Sequence, residues 1–196
     1  PREDRLEQRP RRGHALDDEG VERAAQLLDA GRAIVRVGDH LGEEHASPVE
    51  VGIFTSGFAA VEAELVIRLG HDLPDHGKSG WTADAAADLE QRLLVAIEVA
   101  SSPIPDINSL GPTVIAADFG NNNGLVLGSV LADWRSGAPV QLSCYIDGQL
   151  IGEGSAENLP GGIHHGLATA LNILASRGQP VRAGMIFATG AITGIH

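Results

Sequence analysis

The stretch Val61-Glu-Ala-Glu-Leu-Val-Ile-Arg-Leu69 decides the fold, because apolar and polar residues alternate along it. The odd-numbered positions are all apolar, whereas the even-numbered ones are Glu62, Glu64, Val66 and Arg68. A period of two predicts a β-strand with its odd face against a core. Both glutamates then point the same way from neighbouring pleats. Two like charges held side by side repel, so they require solvent, a cationic partner or a metal ion.

The strand alone leaves two interpretations open. Either an amphipathic strand has an acidic wet face that Arg68 partly compensates, or the carboxylates belong to a site. Glu98 bears on the choice, because it is the one charged residue in the apolar run 94–100, and a buried carboxylate needs a partner. Three carboxylates on two strands make an oxygen-rich site of the kind Mg²⁺ prefers, with water and substrate at its other positions.

Composition and charge limit the class of protein. A chain of 196 residues with 43% apolar content is long enough for one substantial domain. The formal net charge of −12 argues against a nucleic-acid partner, because an acidic surface repels phosphate. The single cysteine excludes an internal disulfide. No apolar stretch is long enough to span a membrane and no signal-peptide pattern is visible, so we expect a cytoplasmic protein without a membrane partner.

The segment patterns predict an α+β protein. Helices are predicted over residues 19–31, 83–94 and 162–176, and strands over 33–37, 49–54, 61–69, 95–100 and 185–189. Asp147-Gly148 predicts a β-hairpin with a type I′ turn. Because the strands cluster in the middle of the chain, we expect a mixed, largely antiparallel sheet arrangement with flanking helices. We divide the chain into an N-terminal helical and loop segment, residues 1–48, and a catalytic domain, residues 49–196.

Several blocks of the sequence resemble one enzyme family. Residues 62–74, Glu-Ala-Glu-Leu-Val-Ile-Arg-Leu-Gly-His-Asp-Leu-Pro, resemble the acidic strand of the 2-keto-4-pentenoate hydratases, in the fumarylacetoacetate hydrolase superfamily. Residues 96–99, Ala-Ile-Glu-Val, are similar to the segment that carries the family's third metal carboxylate. Residues 115–128 and 182–190 resemble later blocks. The resemblance covers about 54–194 and implies the family's β-roll with flanking helices.

The resemblance implies a metal-dependent reaction. Glu62, Glu64 and Glu98 would hold Mg²⁺ or Mn²⁺, which chelates the carboxylate and the 2-oxo group of a small dienoic acid. Water then adds to the conjugated double bond and gives a 4-hydroxy-2-oxo acid. The family also implies a homo-oligomer.

Four further residues are candidates for the site. Asp39 stands near an acidic position that the family uses for proton transfer. Asp118 and Asn121 are candidate substrate-binding residues, with a plain Asn-Gly turn as the alternative interpretation of this loop. Thr189 is a third candidate for substrate binding.

Departures from the family keep other functions open. The family carries a lysine upstream of its acidic strand, whereas the only lysine here, Lys78, follows it. The given sequence also ends at His196, before the family's closing strand. An incomplete chain, altered chemistry or lost activity would each explain these departures. The leading prediction is a hydratase, that is, a hydro-lyase. The alternatives are a sister 2-oxo-enedioate decarboxylase, an acylpyruvate-type C–C hydrolase, and a non-catalytic metal-binding homologue or assembly partner. The hydrolase branch of the family usually supplies an aspartate as its third metal ligand, so Glu98 argues against the hydrolase.

Overall fold

The structure is a computed structural model that describes residues 24–28, 32–37, 49–73, 80–89 and 91–196. Nine strands and three α-helices lie in the described residues. In chain order these elements are β1 (Ala24–Leu28), β2 (Arg32–Val37), β3 (Val49–Gly52), β4 (Phe58–Leu69), α1 (Ala83–Ala87), β5 (Gln91–Ser102), α2 (Pro112–Ala117), β6 (Asn122–Val130), β7 (Gln141–Ile146), β8 (Gln149–Ser155), α3 (Ile163–Ser176) and β9 (Ile186–Ala188).

The strands form three antiparallel groups. The largest is a four-stranded sheet in the order β6-β5-β4-β9. A second sheet has the order β1-β2-β3, and β7 and β8 form a hairpin. The predicted fold class, largely antiparallel sheet with flanking helices, is confirmed. The division of the chain at residues 48 and 49 stays a prediction.

The odd face of β4 and β5 forms the core of the molecule. Its side chains pack with α3 and the β7 strand, and the shared cluster includes Val61, Leu65, Ile67, Leu93, Val95, Ile97, Leu142, Leu167 and Leu171. Each such side chain contributes roughly 1.5–3 kcal/mol on burial. The predicted wet face of β4 is largely covered as well, since Val66 is 0% exposed and Glu64 2% exposed. Burial on both faces makes β4 and β5 the rigid centre of the sheet.

Two local predictions are confirmed in detail. Asp147 and Gly148 have φ values of 51° and 78° between β7 and β8, and two positive φ angles define a type I′ turn. The third helix ends as its glycine predicts. Gly178, at φ 62°, donates its N–H to Ala175 O, and the Gln179 N–H is donated to Leu174 O. This pair of bonds is a Schellman motif.

One helix prediction is wrong and a second extends too far, both for the same reason. Within the predicted helix over 19–31, the structure has strand β1 at Ala24–Leu28, paired with β2. Within the predicted helix over 83–94, α1 ends at Ala87 and β5 already begins at Gln91. The start of β5 pairs with the end of β4, where Gln91 lies opposite Leu69. In both places sheet pairing overrides the helix propensity of the residues.

The C-terminal segment, residues 186–196, covers the edge of β4 that does not pair with β5. β9 pairs with Val66, Ile67 and Arg68, and the chain then continues antiparallel to β4. The Ile192 N–H is donated to Ala63 O at 3.0 Å, and the Val61 N–H to His196 O at 2.9 Å. Both edges of β4 are therefore hydrogen-bonded along the stretch that carries the two glutamates.

Glycines in β8 let the C-terminal segment pass close by. A Cβ atom at Gly154 would overlap the carbonyl of Ile192, and one at Gly152 would overlap the carbonyl of Thr193. Close approach of two backbones requires glycine at such positions. Among the described helices, none is long and apolar enough to cross a membrane.

Candidate metal centre

Strand register brings the three predicted metal ligands together. In the antiparallel pair of β4 and β5, Glu62 lies directly opposite Glu98, and Glu64 lies opposite Ala96. The alternation of β4 puts Glu62 and Glu64 on one face, and the cross-strand pairing adds Glu98 to that face. One carboxylate oxygen from each glutamate lies within 4.8 Å of the others.

Burial and the charges of neighbouring carboxylates raise the pKa values of Glu62 and Glu64. Burial and then the charges of Glu98 and Glu62 raise the pKa of Glu64 to about 7, although a hydrogen bond from the Gly190 backbone opposes the shift. Burial and the charge of Glu98 also raise the pKa of Glu62, with His196 acting in the opposite direction. Without a cation, this arrangement disfavours the fully ionised state of the cluster.

Glu98 and Glu64 differ in the hydrogen bonds that the described residues offer them. Asn122 Nδ2 donates to Glu98 Oε1 at 2.7 Å. Oε2 of Glu64, by contrast, is buried and has no hydrogen-bond partner among the described residues. A buried carboxylate oxygen left unpaired costs free energy. A hard divalent cation fits this set of oxygen donors, because Mg²⁺, Mn²⁺ and Ca²⁺ all prefer carboxylate ligands.

The candidate substrate-binding loop leads into Asn122, whose side chain contacts Glu98. Asp118 ends α2, and its Oδ2 is buried with no hydrogen-bond partner in the described structure. Asn121 is 7% exposed with φ at +63°, and its amide donates to Asn108 Oδ1 at 3.1 Å. The following Asn-Gly pair is not a turn, since residues 123–124 lie inside β6.

Of the remaining predicted site residues, the structure describes Thr189 but not Asp39. The hydroxyl of Thr189 donates to the carbonyl of Leu65 at 3.0 Å, so it ties the C-terminal segment to β4. Asp39 and Lys78 lie outside the described residues. The predicted roles of Asp39, Asp118, Asn121 and Thr189 stay predictions.

Three contacts of the cluster escaped sequence reasoning. The amide of Asn122, the backbone N–H of Gly190 and the side chain of His196 all act on the glutamates. A run of three asparagines indicated polar chemistry at 121–123, but not which of them faces the site. Gly190 and His196 reach the site only through the pairing of the C-terminal segment with β4.

No protein-family model and no curated protein sequence matches the chain. Among solved structures, it is similar to 4-oxalocrotonate decarboxylase from Pseudomonas putida G7 complexed with magnesium and adipate, at 18% identity and a TM-score of 0.58. The same decarboxylase complexed with calcium and acetate matches at 18% identity and a TM-score of 0.56. Each match covers 76% of this chain and 61% of the decarboxylase chain, so the chain spans about three fifths of that protein's length.

A third similar structure is 5-carboxymethyl-2-hydroxymuconate delta-isomerase from Mycobacterium smegmatis, at 12% identity and a TM-score of 0.49, covering 90% of this chain and 68% of that one. The likeness to the decarboxylase confirms the predicted resemblance at the level of the fold.

Proposed function

From the fumarylacetoacetate hydrolase fold of this chain, we propose that it is a divalent-metal-dependent enzyme acting on a small 2-oxo acid, with Glu62, Glu64 and Glu98 as metal ligands. The observation that carries the proposal is the buried Oε2 of Glu64, which has no hydrogen-bond partner among the described residues and belongs to a cluster of carboxylate oxygens within 4.8 Å of one another. A protein gains nothing in stability from three converging carboxylates unless a cation joins them.

A bound divalent ion supplies Lewis-acid chemistry toward the carboxylate and the 2-oxo oxygen of such a substrate. The chain's own part is to hold the ligands rigidly. Both edges of β4 are paired, with β5 on one side and the C-terminal segment on the other. Glu64 also receives a backbone hydrogen bond from Gly190. A site on paired strands keeps its geometry better than one on loops.

The reaction that we propose first is hydration of a 2-hydroxy-dienoate to a 4-hydroxy-2-oxo acid, a hydro-lyase activity with Mg²⁺ or Mn²⁺. Decarboxylation of a 2-oxo-enedioate is the second candidate, favoured by the likeness of fold to a decarboxylase solved with magnesium. A non-catalytic metal-binding role is the third, because residues 1–61 contain no lysine. Cytoplasmic location and self-association belong to the proposal as well.

Metal binding is tested first, apart from activity. We expect Mg²⁺ and Mn²⁺ to raise the thermal midpoint of the wild-type protein and of Glu157→Gln, an exposed carboxylate away from the cluster. The same ions should leave the midpoint of Glu64→Gln unchanged. A wild-type protein whose midpoint and calorimetric titration show no response to either ion would overturn the metal site.

Turnover is tested second, with the metal-loaded protein. Decay of the absorbance of 2-hydroxypenta-2,4-dienoate, lost in Glu62→Gln and Glu98→Gln, supports the hydratase. Release of CO₂ from a 2-oxo-enedioate supports the decarboxylase instead. Metal binding with neither reaction leaves the non-catalytic role as the function.

A further inference from the structure

Asn122 begins β6 and makes a short contact with one of the proposed metal ligands. Its side-chain amide donates to Glu98 Oε1 at 2.7 Å. This distance falls at the short end of the range for hydrogen bonds to an ionised carboxylate, which are roughly twice as strong as neutral ones.

A β-bulge decides that Asn122, and not its neighbour, faces the carboxylates. Along β5 and β6, Glu98 lies opposite Leu125 and Val99 opposite Gly124, but Ala100 lies opposite Asn122. Residue 123 is therefore the extra residue of the bulge. In unbroken register Ala100 would lie opposite residue 123, and Asn122 would point to the other face.

The extra residue is held away from the cluster. The side chain of Asn123 donates to the carbonyl of Gly52, in β3, at 2.6 Å. Glu98 and Ala100 share the even face of β5, so the residue opposite Ala100 shares it too. The bulge thus directs Asn122 onto the face of Glu62, Glu64 and Glu98, and bulges commonly re-aim side chains in this way.

A neutral amide suits this position. It satisfies one oxygen of Glu98 and restricts the rotation of the carboxylate. Unlike lysine or arginine, it brings no positive charge that would compete with a metal ion. Hydrogen bonds to metal-ligating carboxylates orient them, and removing such a partner typically weakens metal affinity by about 10–100-fold.

We infer that Asn122 is a positioning residue that orients the Glu98 carboxylate for metal binding, and that the bulge at Asn123 serves to direct Asn122 toward this carboxylate. The inference rests on the proposed metal site.

The test compares Mn²⁺ dissociation constants, measured by isothermal titration calorimetry, for the wild-type protein, Asn122→Ala and Asn122→Leu. Leucine has the same branched skeleton of heavy atoms as asparagine but no donor, so it tests the loss of the hydrogen bond even if the alanine variant folds poorly. Asn158→Ala, an exposed asparagine in the turn after β8, is the matched control. We expect both Asn122 variants to bind Mn²⁺ about 10–100-fold more weakly than the wild type, with the control unchanged.

The thermal midpoint of the metal-free proteins separates positioning from a merely structural role. We expect the midpoints of Asn122→Leu and the wild type to agree closely while their Mn²⁺ affinities differ. Wild-type affinity in both Asn122 variants overturns the inference and leaves the metal site standing. A weaker affinity matched by an equal loss of metal-free stability also overturns it. If the wild-type protein itself does not bind Mn²⁺, the proposed function fails and the inference falls with it.

Discussion

Glu62 and Glu98 lie directly opposite each other across β4 and β5, in a sheet whose two central strands are buried on both faces. Like charges in cross-strand pairs destabilise a sheet. Glu64, 2% exposed, adds a third carboxylate to the same face. The cluster therefore destabilises the folded state of the metal-free protein, and we expect metal binding to reverse this effect.

The stability of the metal-free protein should depend on pH through Glu64. Its folded-state pKa of about 7 lies above the ordinary value of 4.5, so between these two values the folded state binds more protons than the unfolded state. The stabilisation of the folded state by this proton is complete below pH 4.5 and is lost as pH rises through about 7. The loss is on the order of 3 kcal/mol. Urea denaturation in the presence of a chelator, from about pH 5 to about pH 8, measures it.

Glu64→Gln is the control for this pH dependence. Because glutamine does not ionise, the difference in unfolding free energy between the wild type and the variant should change with pH in that range. Above pH 7 we expect the metal-free variant to be the more stable protein. Parallel pH curves for the two proteins would contradict the assignment of this titration to Glu64.

A larger side chain at Ala96 should disturb the cluster. Ala96 is 0% exposed and lies opposite Glu64, so the extra atoms of Ala96→Leu have no solvent to enter. We expect a loss of about 1–3 kcal/mol in unfolding free energy, together with weaker Mn²⁺ binding. Ala85→Leu, on the exposed side of α1, should change neither quantity. Unaltered Mn²⁺ affinity in Ala96→Leu would show that this side chain does not border the site.

A methyl group at Gly154 should push the C-terminal segment away from β8. Its Cβ would overlap the carbonyl of Ile192, part of the segment that pairs with β4. We expect Gly154→Ala to lower the unfolding free energy by about 1–3 kcal/mol, as overpacking does. Gly166→Ala is the matched control, because its Cβ would meet no atom within 4 Å inside α3. That change should raise stability by about 0.5–1 kcal/mol. Equal effects of the two substitutions on the thermal midpoint would refute the predicted clash.

Asn172 joins α3 to the segment before α1. Its Oδ1 accepts hydrogen bonds from the backbone N–H groups of Gly80 and Trp81, both at 2.9 Å, and its Nδ2 donates to the carbonyl of Trp81 at 3.0 Å. With roughly 0.5–1.5 kcal/mol for each bond, Asn172→Ala should cost about 2–3 kcal/mol in urea denaturation. Asn172→Asp keeps both acceptor interactions and should cost less. Equal losses of unfolding free energy in the alanine and aspartate variants would rule out a stabilising role for the two hydrogen bonds that Oδ1 accepts.

Much of the local structure was predictable because it depends on neighbouring residues. Alternation predicted β4 and its acidic face, Asp147-Gly148 predicted the hairpin turn, and Gly178 predicted the end of α3. The helix predictions failed at Ala24–Leu28 and at the start of β5, where good helix formers pair in sheets. Propensity describes an isolated segment, whereas pairing partners far along the chain decide its final state.

The sequence by itself determined that Glu62 and Glu64 share one face of a strand, because successive side chains of an extended backbone must alternate. Only the tertiary structure decided that Glu98 lies opposite Glu62, that Glu64 is buried, and that the bulge at residue 123 brings Asn122 onto the acidic face. Strand register and bulges depend on how complete strands pack against one another. Contacts between residues 36 positions apart, such as Glu62 and Glu98, leave no periodic signal in the chain.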